Sequence, residues 1–201
     1  MRKMTILDRV GLLATGLLAA YQVVVGVEGT PQIATWFYTI AFGVLLIAGL
    51  LLIIFGFEAL DSSLVVIVAA LFPLSLSVAL VFDHAPTFGI VYLIFALCGL
   101  GAIALTRYAA SKTLATMTLA FVHAIAALVI VGLPIALSAR GATAWGFGFV
   151  SLGGAFIGIG GLLLTFLKTG KPLLSRETIL VILPALLLVM TAAFVIGLAF
   201  G

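Results

Sequence analysis

Seven apolar stretches, each of about bilayer length, leave this chain of 201 residues little choice of architecture. They run from about Val10 to Val27, Ile33 to Phe57, Leu64 to Phe82, Phe88 to Thr106, Leu114 to Leu137, Ala144 to Leu167 and Thr178 to Phe200. At ~1.5 Å per residue a helix over each stretch crosses, or nearly crosses, a hydrocarbon core of ~30 Å. No polar segment between them exceeds about ten residues, so there is no room for a folded unit outside the lipid. Only 7% of the residues are charged, against roughly a quarter in soluble domains. The predicted fold is therefore all-α: a polytopic seven-span helical bundle forming one transmembrane domain over residues 1–201, with the bilayer as its first partner.

Arginine and lysine set the orientation. With a cytoplasmic N-terminus and an external C-terminus, the inner segments carry Arg2, Lys3, Arg9, Arg107, Lys112, Lys168, Lys171 and Arg176, and the outer ones only Arg140. Such asymmetry is the positive-inside pattern, and it points to a plasma or inner membrane. Trp36 and Trp145 then fall at the outer interface and Tyr108 at the inner one. Basic Arg2, Lys3 and Arg9 before an apolar run resemble a secretory signal, but Leu17 and Leu18 occupy the positions where cleavage needs small residues, so the first span is expected to be retained.

Within the spans, residue size is sorted most clearly in the sixth. On a helix of 3.6 residues per turn, Ser151, Gly154, Gly158, Gly161 and Thr165 form one narrow stripe, with Phe149, Leu152, Phe156, Ile159, Leu163 and Phe166 opposite. Gly146, Gly153 and Gly160 form a second small stripe beside the first. Lipid tails are as apolar as phenylalanine, so membrane helices meet through small residues that let backbones approach, and both stripes are expected to face protein. Pro73 and Pro184 interrupt the third and seventh spans and should kink them. Asp61 and Ser175 are positioned to cap the helices that follow them. Aligning hairpins that begin near Ile40, Ile90 and Phe149 superposes Gly49, Gly99 and Gly161, then Pro73, His123 and Pro184. One lone helix plus three related hairpins is the arrangement this alignment implies.

His123 is the one ionisable side chain near mid-span, with Thr116, Ala120 and Ala127 on its helical face. An intramembrane ionisable group is a functional candidate for proton relay or ligand contact; the competing reading is a neutral histidine that fixes helix packing. His84 falls at an outer loop, too far in depth from His123 for the two to ligate one iron. Asp83-His84 reads as a solvated turn, Glu58 and Asp61 as loop charges, and Cys98 as a small packing residue. There is no phosphate loop, no zinc-protease helix and no serine-hydrolase elbow, so no catalytic residue, metal site, cofactor or nucleic-acid partner is predicted. The scarce interior polarity and multiple small faces favour a non-enzymatic structural or accessory subunit that packs against another membrane protein or its own copies. The alternative is a small transporter or channel for a proton or a small neutral or apolar solute, using a path near His123. If the stripes of the sixth helix are wholly used inside the monomer and a polar cavity surrounds His123, that alternative moves ahead.

Overall fold

The computed structural model describes residues 3–168 and 173–201, with side chains for 3–163 and 173–201. Seven helices are long and apolar enough to cross a bilayer. They are α1 (Ile6–Val25), α2 (Gln32–Phe55), α3 (Ser63–His84), α4 (Gly89–Ala109), α5 (Lys112–Ala139), α6 (Gly148–Lys168) and α7 (Arg176–Leu198). Three short 3-10 turns, Gly56–Asp61, Pro86–Phe88 and Trp145–Phe147, precede α3, α4 and α6.

Local chemistry explains where the helices begin. Thr5 and Asp8 form a reciprocal capping box, which starts α1 at Ile6, four residues before the apolar run, and brings Arg9 into its first turn. Ser175 accepts from the Thr178 amide at 3.1 Å and opens α7. Ser175→Ala should therefore lower stability by about 1 kcal/mol, read as a small drop in melting temperature in detergent. Asp61 does not cap α3. Its carboxylate accepts from Arg176 at 2.8 Å instead, joining α3 and α7 at the inner end of the bundle, inner denoting the end that carries Arg107, Lys112 and Arg176, and α3 starts at Ser63 with no side-chain cap from Ser62. Both partners of that pair are about half exposed, so it fixes geometry more than it stabilises.

Contacts run from α1 to α2, α3, α5, α6 and α7 and back to α1, while α4 lies outside against α3 and α5. The outer half of α3 is the most enclosed part, every residue from Phe72 to Phe82 being buried. Phe42 of α2, Phe72 of α3 and Phe194 of α7 meet edge to face at its lower end, with centroids 6.4 and 5.8 Å apart. Pro73, Pro184 and a third interior proline, Pro134 of α5, lie in helices that continue through them. Ser77, one turn after Pro73, donates to the Leu74 carbonyl at 2.9 Å.

The three hairpins α2–α3, α4–α5 and α6–α7 each pack as pairs. Their aligned glycines nevertheless have different surroundings: Gly49 approaches the Leu12 carbonyl of α1, Gly99 packs on Val122 of α5, and Gly161 faces open space. Trp36, Tyr108 and Trp145 are exposed at the helix ends, where a bilayer interface would meet them. Cys98 is exposed on the outside of α4, so it does not pack inside the bundle as its position suggested.

Candidate functional site

The small stripe of α6 divides into two halves with different neighbours. In the outer half, Ser151 donates to the Val131 carbonyl of α5 at 2.7 Å, beside the turn that Pro134 deprives of an amide. Gly154 lies so close to α5 that a Cβ there would stand 2.7 Å from Ile130 Cγ2 and 2.9 Å from Val131 Cγ2. One turn further in the helices part, and a Cβ at Gly158 or Gly161 would meet nothing within 4 Å. The side chain of Thr165 lies outside the described residues. The second stripe turns to α7: Gly153 accommodates the ring of Phe194, and Gly160 the tip of Leu186.

Where α5 and α6 diverge, a cavity of about 560 Å³ opens between α3, α5, α6 and α7. His123 and Thr116 of α5 line it, as do Gly158 and Gly161 of α6 and Ala69 of α3. Pro73 removes the helical amide that would otherwise bond the Ala69 carbonyl. Asp61, Arg107 and Arg176 stand at its inner end. Beyond it lie the buried run of α3 and the phenylalanine cluster. The space reaches from the positively charged end of the bundle to mid-helix, and exposed Leu162 on its wall shows that it is partly open at the side.

Polar groups elsewhere in the interior are largely spent on their own helices. Thr15 donates to Gly11, Thr191 to Leu187 and Ser77 to Leu74. Thr116 likewise donates to Lys112 at 2.9 Å, which leaves its oxygen able to accept. His123 differs, because its Nδ1 is buried and makes no well-formed hydrogen bond; the Leu119 carbonyl one turn back interacts with the imidazole without good geometry. Arg107 differs too. Its Nε is buried and unpartnered, and among the described residues the guanidinium has neither an ion pair nor a hydrogen bond.

Asp83 and His84 are not a solvated turn. They end α3, with side chains only 11% and 15% exposed, and Tyr38 of α2 donates to Asp83 Oδ2 at 3.2 Å. The His84 ring sits 4.9 Å from Phe147, at the opposite end of the bundle from the cavity mouth. In the sequence Arg107 counted only as a topological charge, and its part in the cavity depends on α4 lying beside both α3 and α5. The pairing of Asp61 with Arg176 spans 115 positions and had no local signal.

Among the described residues, seven bilayer-length apolar helices packed around a cavity make this a multi-pass helical membrane protein. Neither family models, nor curated proteins, nor solved structures provide a match to this chain.

Proposed function

We propose that the protein is a small non-enzymatic carrier in the plasma or inner membrane, taking a proton or a small neutral or apolar solute through the cavity at His123. One observation carries this reading: the central histidine lines a space of about 560 Å³, within the ~300–1,000 Å³ of small-molecule sites. The cavity reaches from the end of the bundle that carries Arg107 and Arg176 to mid-helix, as a binding site in one state of an alternating-access carrier would. Gly158 and Gly161 of α6 line it and Pro73 follows the lining residues Ala69 and Ala70 of α3, and such positions absorb helix movement at low cost.

Proteoliposomes supply the test. Proton flux and uptake of small neutral solutes should exceed those of protein-free vesicles, and His123→Ala should reduce them to the vesicle background. A wild-type rate in His123→Ala would remove the histidine from the path.

A second reading rests on a different surface. Between α4 and α5 an apolar groove of about 530 Å³ is lined by Phe88, Tyr92, Phe95, Leu128 and Gly132. A helix of another membrane protein, or of a second copy, would fit there as it would on an accessory subunit. Stoichiometric companions in a mild-detergent purification would favour this reading over a solitary carrier.

A further inference from the structure

We infer that the cavity takes an anionic amphiphile, its negative head against the Arg107 guanidinium and its apolar body lying along Gly158 and Gly161 toward His123. The inference rests on the cavity being the working site and adds the chemistry of what enters it.

Charge selects the head of the ligand. Two arginines stand at the inner end of the cavity, and the one carboxylate lining it among the described residues, Asp61, is engaged by Arg176 at 2.8 Å. Arg107 has no such partner among the described residues, and its Nε is sealed from water. A guanidinium with a buried, unmet N–H is costly, and its fork geometry matches a carboxylate or phosphate. Its place in the last turn of α4 already suits a cation, so the helix end favours the charge without neutralising it.

Shape supplies the other half. Among the described residues, those lining the cavity are all aliphatic or glycine apart from Asp61, Arg107, Thr116, His123 and Arg176. A wholly hydrophilic anion would leave that wall without a complement, and a plain hydrocarbon would leave Arg107 unmet. A molecule with one negative head and an apolar chain satisfies both. The same chemistry comes from two sources, an anionic bilayer lipid or a free single-chain acid or phosphate.

The test uses the full chain in phosphatidylcholine nanodiscs with two probes of equal chain length, dodecyl phosphate and dodecanol. Dodecyl phosphate should bind at least about tenfold tighter than dodecanol, Arg107→Gln should abolish that preference, and Arg107→Lys should restore part of it. Replacing part of the phosphatidylcholine by phosphatidylglycerol separates the sources: competition with dodecyl phosphate identifies a bilayer lipid, and undiminished binding a free amphiphile. Equal affinity for the two probes, or a preference that survives Arg107→Gln, overturns the inference. If Gly158→Leu then still excludes both probes, the cavity stands as a site and only its charge selectivity falls. If neither probe binds the wild type, the cavity reading falls with it.

Discussion

Gly197→Leu is expected to prevent α6 and α7 from docking and to abolish recovery of folded protein. A Cβ at Gly197 would stand 2.5 Å from the Val150 amide nitrogen and 3.0 Å from the Phe149 carbonyl carbon. These are backbone atoms, which cannot rotate aside, so any side chain must push the two helices apart along their length. At Gly146 the obstructing atoms belong to the exposed ring of Phe200, which can swing aside. Overpacking a well-filled contact costs about 1–3 kcal/mol and more where backbone must shift; loss of the α6–α7 contact adds to that. Gly197→Ala should already lower the melting temperature clearly, and Gly197→Leu should leave only aggregated material on size exclusion. Gly132→Ala is the matched control: a helical glycine with nothing within 4 Å of its Cβ position, whose replacement should be neutral or mildly stabilising. A well-folded Gly197→Leu protein would show that α6 and α7 do not approach at this point.

The architecture was legible because it follows from quantities that add along the chain. Apolar length determines the number of spans, and Arg107, Lys112 and Arg176 collect at one end of the bundle whichever way the helices tilt. Cap chemistry is also local, so the helix start at Ser175 could be read directly, and the earlier start of α1 follows from Thr5 and Asp8. The site was only half legible. Sorting by size identifies Ser151, Gly154, Gly158 and Gly161 as one stripe, but four small residues in a row cannot say whether the neighbour stays close. That depends on how the axes of α5 and α6 diverge, a property of two helices and of Pro134 between them. Arg107 and His123 lie sixteen positions apart on different helices, and only the packing of α4 and α5 on α3 brings both to one cavity. Asp83 was misjudged for the same reason: Tyr38, its partner, is 45 residues away.

That divergence of α5 and α6 makes adjacent turns of one stripe respond oppositely to the same substitution. Gly154→Leu should be severely destabilising, because its Cβ alone would overlap Ile130 and Val131, two β-branched side chains with one favoured rotamer each. Gly158→Leu, four residues on, meets nothing within 4 Å and projects into the cavity. Removing a mid-helix glycine gains about 0.5–1 kcal/mol in helix propensity, and filling apolar space adds to it, so the melting temperature should hold or rise. Function should not survive, because a leucine at this point occupies the space between α6 and His123. Proton flux and solute uptake should fall to the background of empty vesicles while the protein remains monodisperse and stable. This pairing separates packing from passage in one experiment. A Gly158→Leu protein that is both stable and fully active would place the path elsewhere, and one that unfolds like Gly154→Leu would mean that α5 and α6 remain in contact along their whole length and that no cavity exists.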